Sequence, residues 1–505
     1  MATEPRVAPA WTLAAMSIAQ FMIQLDTTIV NVALPSIQGE LHVRPGNLLW
    51  TVNAYILALA SLILVGGTLG DRYGRRRVFL VGLVVFVVMS AAAALAPDDR
   101  ALIAARAVQG VGAALMSGLT LALLVSAYPG ARSAGAISVW ASVGGIGFGV
   151  GPIVGGLLLE RFPWSSVFWI NVPIGIAVGA LTRLRVAESR DPAARGLDAV
   201  GTALIAAGLF CLSFGLIEAD DHAWLSITTV GMLAGGIVLL AAFLGWEGRV
   251  AEPLVPLGLF RQRDFAVSNA SMAIEYAATV GILFFMTLFF QNVRGWSPVH
   301  TGLAFLALNA PFLMTSLGAA RMTRRIGPRM AIGGGVLCGL LGVIGLARLG
   351  SGASDDALWP LVPIGAGFGL AIPSLSTSAM GAVDATRAGL ASGVLNTSRQ
   401  VGAAVGLAVL GALGVDLSSR AWTHALAGLP EALRVTAATA AQLVAGGQVA
   451  SVVRLVGPEA REAALGAFMT GFRGAMWVVA AWLLVSVVLA VLGLRGASVR
   501  APAVR

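Results

Sequence analysis

The sequence predicts an all-α polytopic membrane protein of fourteen transmembrane helices, arranged as two six-helix bundles with two further helices inserted between them. Three observations carry that prediction. Only 11% of the 505 residues are charged and 57% are hydrophobic, whereas an ordinary soluble domain carries about 25% charge, so the chain has too few charges to clothe a water-facing surface. Apolar runs of about 20 residues recur along it, each long enough to cross a hydrocarbon core about 30 Å thick, and they lift the mean hydropathy to +0.86. The arginines, finally, gather in alternate connecting segments, as loops on one side of a bilayer do.

Bounded by charge, Pro and Gly clusters, the runs place helices over 11–34, 47–70, 78–96, 101–125, 134–159 and 166–186. Two more follow over 197–218 and 224–246, and a last six over 265–291, 300–320, 330–349, 358–381, 388–414 and 466–494. The first run is read as a retained span and not as a signal peptide, because Arg6 alone precedes it, Gln20, Gln24 and Asp26 interrupt it, and no small-residue cleavage site follows. The second helix closes on a basic turn, GTLGDRYGRRR (Gly67 to Arg77), and the tenth closes on ARMTRRIGPR (Ala320 to Arg329). This weak repeat predicts an N-terminal six-helix bundle over 1–186, two inserted helices with linkers over 187–264, and a C-terminal six-helix bundle over 265–505 with an outer loop at about 415–465. Within that loop, Pro430-Glu431 followed by an Ala/Leu-rich stretch to Gly446-Gly447 predicts an ordered helix.

All 33 basic residues are arginines. Without lysine the chain can build neither a Walker A phosphate loop nor a pyridoxal Schiff base, so no such ATPase domain is expected in it. The net charge of +9 is spread over many short segments instead of one stripe, which points to the lipid bilayer as partner and away from nucleic acid. With the N-terminus inside, 21 arginines fall on the inner side, 5 in the short outer segments and a further four, Arg420, Arg434, Arg454 and Arg461, in the long outer loop, so both termini are expected in the cytoplasm and the chain in the cytoplasmic membrane. Cys211 and Cys338 lie inside apolar runs and read as small hydrophobes, with no metal site implied. The four histidines, His42, His222, His300 and His424, map to outer loops, and no HExxH or GxSxG occurs, so a membrane-embedded enzyme is disfavoured.

Three stretches carry chemistry. In the turn after the second helix, Gly67 and Gly74 permit a tight reversal, while Asp71 among Arg72, Arg75 and Arg76 can exchange partners as helices rock. In LIAARAVQGVGAA (Leu102 to Ala114), Arg106 lies within a span, where a charge is costly unless it faces a wet cavity or a partner. In GFGVGPIVGG, Gly147, Gly151 and Gly155 repeat at spacing four on one helix face, with Pro152 removing a backbone bond and Gly156 adjacent, which lets another helix approach closely.

These three stretches resemble motifs A, B and C of the major facilitator superfamily, the third being the signature of its antiporters. The inserted pair and the opening QLDTTIVNVALPSI (Gln24 to Ile37) resemble the fourteen-span drug:proton antiporter branch, as do NVPIG (Asn171 to Gly175), TGLAFLALNAP (Thr301 to Pro311) and GLASGVLNTSRQVGAAVG (Gly389 to Gly406). The resemblance covers nearly the whole chain. It implies the major facilitator fold, no enzymatic activity, no cofactor beyond a proton gradient, and small-molecule substrates and protons as partners. It also assigns Gly67, Asp71, Arg72, Gly74, Arg75 and Arg76 to a conformational latch and Gly147, Gly151, Pro152, Gly155 and Gly156 to the antiporter motif. Arg324 stands where the second copy of motif A could carry an acid, so only the first copy supplies one, and Trp164-Ser165-Ser166 replaces a Trp-Arg-Trp found in relatives.

Two acids lie well within spans, Asp26 and Glu275, with Glu218 near a boundary. At 1.5 Å per residue Asp26 lies about 22 Å and Arg106 about 21 Å from the inner side. Glu275 and Arg399 come out at about 15 and 16 Å, so both pairs match in depth. A carboxylate in apolar surroundings binds a proton or a substrate's positive charge, which is what an exchanger needs. Asp26 with Arg106 is therefore expected to couple protons. Glu275, with Tyr276 beside it and Arg399 at its depth, is expected to hold substrate by charge and ring contact. The expected function is proton-coupled efflux of amphipathic, cationic drugs or toxic compounds by alternating access, a multidrug resistance activity. The alternative is a dedicated exporter of a single antibiotic or metabolite.

Overall fold

The computed structural model describes residues 9–41, 43–128, 132–190, 198–217, 226–350, 358–383, 388–426, 437 and 440–494. Fourteen helices among them are long and apolar enough to cross a membrane, and no strand occurs among the described residues. They are α1 (Pro9–Leu41), α2 (Gly46–Tyr73), α3 (Arg75–Ala94), α4 (Asp99–Ala127), α5 (Arg132–Arg161), α6 (Ser166–Arg185), α7 (Ala199–Ile217) and α8 (Ile227–Glu247). The rest are α9 (Arg263–Val293), α10 (Pro298–Ile326), α11 (Pro328–Ala347), α12 (Leu361–Gly381), α13 (Ala388–Ala425) and α14 (Pro458–Gly493). Each run predicted from the sequence falls on one of these. Below, the face of the bundle where α1 begins is the near face, and the opposite one the far face.

The first six helices and the last six use the same pairing: α1 lies on α5, α2 and α3 on α4, and correspondingly α9 lies on α13, α10 and α11 on α12. The two basic turns also share a device. Gly74 ends α2 at φ 108° and Gly327 ends α10 at φ 82°, backbone that residues with a Cβ rarely adopt. The inserted helices α7 and α8 pair chiefly with each other, and α7 leans on α2 and α13. Phe210 and Phe214 of α7 meet Trp50 of α2 with ring centroids 6.0 and 6.3 Å away. At the near end of this hairpin Asp198 accepts from the Trp246 indole at 2.9 Å, and Glu247 accepts from the Val255 backbone at 3.0 Å, tying α8 to the linker before α9.

Differences from the sequence reading lie at the helix ends. α13 runs on to Ala425, past its expected end at 414, because its added turns carry Trp422 into a second apolar cluster with Ala437, Val444, Val452 and Ala464. Trp422 is fully buried there and donates to the Ala437 carbonyl at 2.9 Å. Short helices Ala441–Ala445 and Val449–Val456 follow, and the first ends on Gly446 and on Gly447, whose φ is 72°. Much of the long loop is thus packed structure. Two of the histidines stand on helices and not in loops: His300 in the first turn of α10, His424 in the last turn of α13. His42, His222, Glu218, the Pro430-Glu431 helix start and the arginines at positions 6, 195, 387, 434 and beyond 494 lie outside the described residues.

Candidate transport site

Asp26 sits midway along α1, fully buried, and Arg106 of α4 is buried beside it with 1% exposure. Arg106 Nη1 donates to Asp26 Oδ2 at 2.6 Å. Burying two charges is costly unless geometry and further hydrogen bonds satisfy both, and here they do. Asp26 Oδ1 accepts from Asn171 Nδ2 at 2.8 Å and from Gln109 Nε2 at 3.1 Å. Gln109, one helical turn beyond Arg106, also accepts from Arg106 Nη1 at 2.8 Å, and Arg106 Nε donates to the Thr51 carbonyl at 3.3 Å. The guanidinium faces the rings of Tyr55, 4.2 Å from the centroid, and Phe168, 5.6 Å away, a placement that the ring quadrupoles favour. Four helices of the first six thereby converge on the ion pair.

The glycine stripe of α5 explains how α1 is held. A Cβ at Gly147 would meet the backbone of Phe21, one at Gly151 the Thr28 side chain, and one at Gly155 the Ile29 side chain, so α5 lies against the stretch of α1 that presents Asp26. Thr28 Oγ1 donates to the Phe148 carbonyl at 3.0 Å across this contact. Gly156 belongs to a different face: a Cβ there would meet the Pro298 carbonyl of α10, and Gly302 of α10 rests against the Pro152 carbonyl. Asn309 Nδ2 of α10 donates to the Gly149 carbonyl at 2.7 Å. The motif is therefore also a joint between the first six helices and the last six. Other hydrogen bonds across that joint gather at the far face, where Gln291 donates to the Val32 carbonyl at 2.8 Å and Asn292 to Gln38 Oε1 at 3.3 Å.

At the near face, Asp71 Oδ1 lies 2.7 Å from Arg75 Nε, one turn along the α2–α3 corner. Arg72 stays close to home, 5.5 Å over the Tyr73 ring, and among the described residues none comes within 4 Å of where a Cβ on Gly67 would stand. Arg76 and its neighbours reach instead to the segment after α6. Glu188 accepts from the Arg76 backbone N–H at 2.9 Å, and its other oxygen lies 3.9 Å from Arg76 Nε and 3.7 Å from Arg77 Nε. Arg76 Nη1 donates to the Val186 carbonyl at 2.9 Å, and the Arg75 N–H to the Ser189 carbonyl at 2.8 Å. Residues 186–189 thus strap the basic turn, with the Glu188 carboxylate seated against Gly74.

In the last six helices the matched depths of Glu275 and Arg399 do not produce an ion pair. Arg399 hydrogen-bonds the Tyr276 hydroxyl and lies 4.4 Å over its ring. Glu275 is fully buried on α9 with neither carboxylate oxygen hydrogen-bonded. The reason is rotational: neighbouring residues on a helix point about 100° apart, and Tyr276, not Glu275, faces Arg399. Sequence reasoning also missed Asn171, Gln109, Tyr55 and Glu188. Asn171 stood in the NVPIG stretch and Gln109 one turn from Arg106, so proximity to a motif was the available signal. Glu188 was the lone acid between Arg183 and Arg190. No group of three or more His, Cys, Asp or Glu side chains that would suit a metal occurs among the described residues.

The Major Facilitator Superfamily profile matches residues 16–407. The chain belongs to that superfamily of transporters, and is not a member of an enzyme family. It is 38% identical to the multidrug resistance protein Stp of Mycobacterium tuberculosis over 422 residues, 83% of this chain and 79% of that one. It is 35% identical to the tetracenomycin C resistance and export protein of Streptomyces glaucescens over 405 residues, 80% and 75% of the two chains. Among solved structures it resembles a bacterial homolog of the human lysosomal transporter Spinster in an inward-facing, unoccupied conformation, with TM-score 0.69 and 16% identity over 97% of this chain and 98% of that one. At that identity the likeness speaks for the fold.

Proposed function

We propose that this chain is a proton-coupled exporter of amphipathic, cationic drugs and toxic compounds, working by alternating access of a bundle over 1–186 and a bundle over 265–505 around a midplane cavity, with 187–264 as an inserted hairpin. Both termini are assigned to the cytoplasm. The observation that carries the reading is the fully buried Asp26–Arg106 pair at the centre of the first six helices: a carboxylate whose charge is balanced inside the bundle is a site where a proton and a cation can compete. Asp26 and Arg106 couple protons; Glu275, Tyr276 and Arg399 contact substrate; Gly67, Asp71, Arg72, Gly74, Arg75 and Arg76 form the latch. Gly147, Gly151, Pro152, Gly155 and Gly156 form the antiporter joint. The driving cofactor is the proton gradient. With the termini inside, the contacts at Val32 and Gln38 lie toward the outer side, and the one at Gly149 lies midway along α5.

Support for drug export comes from relatives whose names tie them to multidrug resistance and to tetracenomycin C, and further relatives bear the names of a cephamycin export protein and a puromycin resistance protein. Similar match to several unrelated compounds disfavours dedication to one. Growth inhibition of cells with and without the protein, across cationic dyes, quaternary ammonium compounds and antibiotics, tests this: protection is expected against several cationic classes, and protection against a single compound would overturn the multidrug reading. Glu275→Gln is expected to weaken efflux of cationic, especially dicationic, substrates while sparing neutral ones, as measured in everted vesicles. Equal loss of both would remove Glu275 from the substrate site.

A further inference from the structure

We propose that the side-chain amide of Asn171 is a two-way positioning group for Asp26, donating to the carboxylate and, turned over, accepting from the carboxylic acid. The proposal rests on the reading of Asp26 as the proton site. Both Asp26 oxygens face N–H donors: Oδ2 faces Arg106 Nη1 at 2.6 Å, and Oδ1 faces Asn171 Nδ2 at 2.8 Å and Gln109 Nε2 at 3.1 Å. A carboxylate only accepts, so this arrangement suits the charged form. A carboxylic acid must donate one proton, and with three donors around it that proton would point at another N–H.

One neighbour therefore has to change roles when Asp26 takes a proton. Arg106 is excluded, since a guanidinium has donors and no acceptor. Gln109 is held at both ends, because its Oε1 accepts from Arg106 at 2.8 Å while its Nε2 donates to Asp26; turned over, it would aim an N–H at the guanidinium. Asn171 is free of that constraint. It is fully buried at the end of the broken first turn of α6, its Nδ2 donates to Asp26 and to Ser90 Oγ at 3.1 Å, and its Oδ1 is buried with no hydrogen-bond partner.

A half-turn about the last side-chain bond of Asn171 brings Oδ1 to the place that Nδ2 holds. There it accepts the acid's proton, and the amide again leaves one atom without a partner, so the exchange costs no net hydrogen bond to Asp26. At Ser90 the exchange gives up one hydrogen bond: the turned amide presents Oδ1 where Nδ2 now donates, and the single Ser90 proton, now donated to the Phe168 carbonyl at 2.8 Å, can go to only one of the two acceptors. The proton itself stays on Asp26; Asn171 carries none. Each charge state of Asp26 then keeps a satisfied partner inside a low-dielectric site, where an unsatisfied one is costly.

The test is infrared difference spectroscopy of the full-length protein in nanodiscs between high and low pH, with the acid band assigned by its loss in Asp26→Asn. In Asn171→Leu, and in Asn171→Ala as the smaller replacement should the leucine variant fold poorly, the protonated Asp26 C=O band should move to higher wavenumber, because its O–H has lost its acceptor. Proton-driven efflux in proteoliposomes should fall about tenfold, the effect of one buried hydrogen bond of ordinary strength. An Asp26 band that stays in place in the Asn171 variants overturns the two-way role and leaves Asp26 as the proton site. Absence of any Asp26 acid band across the pH range overturns this proposal and the assignment of Asp26 together.

Discussion

The roles of individual residues divide by what their loss does to a buried charge. Removing one partner of a buried, hydrogen-bonded ion pair costs about 3–5 kcal/mol, since the other charge stays behind, so Asp26→Asn should lower thermal stability as well as abolish active efflux. Removing both charges lifts the first penalty alone. Asp26→Asn combined with Arg106→Met should therefore recover the melting temperature of the purified protein while efflux stays absent; a double variant that pumps would reduce the pair to a structural tie. Asp71 is the opposite case. Its contact with Arg75 is a half-buried pair one turn apart, worth a few tenths of a kcal/mol, so Asp71→Asn should leave expression and melting unchanged. It should nonetheless cut efflux at least tenfold, and normal efflux would refute the latch. At this scale depth was legible and direction was not. Residue number fixes how far along a helix a side chain lies, which found Arg106 opposite Asp26, but the rotation of each helix decides what it touches, and that turned Arg399 to Tyr276 instead of Glu275. Uncharged partners such as Asn171 and Gln109 give no signal of their own, because neutral amides in spans are unremarkable until a charge is seen to need them.

Helix positions were readable from the sequence because twenty-residue apolar runs have few other interpretations, while helix ends were set by packing that hydropathy does not record, as Trp422 shows in prolonging α13. The α5 stripe was legible as a close-packing face from its spacing alone; its partner was not. That partner is α1 between Phe21 and Ile29, so the stripe sets the position of Asp26 and connects an element to the site. Replacing Gly151 with leucine drives a side chain into Thr28 and Ile29, an overpacking that costs about 1–3 kcal/mol and shifts backbone. Gly145→Leu, on the same helix with open space around its Cβ position, is the matched control. Efflux by Gly151→Leu should fall at least tenfold while Gly145→Leu retains most of it, both normalised to protein in the membrane. Equal tolerance at the two sites would mean that the close approach of α5 to α1 has no bearing on transport.

For the whole molecule, the arginine distribution and the packed far face make one linked claim. Counting from a cytoplasmic N-terminus, 21 arginines lie on the inner side and 5 in the short outer segments, and an even number of spans returns the C-terminus to the same side. The near face then faces the cytoplasm, with the Asp71 turn and the Glu188 strap on it, and the cluster around Trp422 faces outward. A reporter fused after Arg505 is accordingly expected in the cytoplasm. For the outer side, the position has to be chosen by exposure: Gly447 is buried against Phe468, but Ala450 on the helix Val449–Val456 is exposed. In a background with Cys211 and Cys338 replaced by serine, Ala450→Cys should react with a membrane-impermeant maleimide added to intact cells, and a cysteine in place of exposed Arg77 should react only after the membrane is opened. Labelling of both positions from the same side would refute the fourteen-span topology, since Arg77 and Ala450 are separated by an odd number of crossings in it. Labelling in the reverse order would keep the fourteen helices, turn the molecule over in the membrane, and place the far face on the cytoplasmic side.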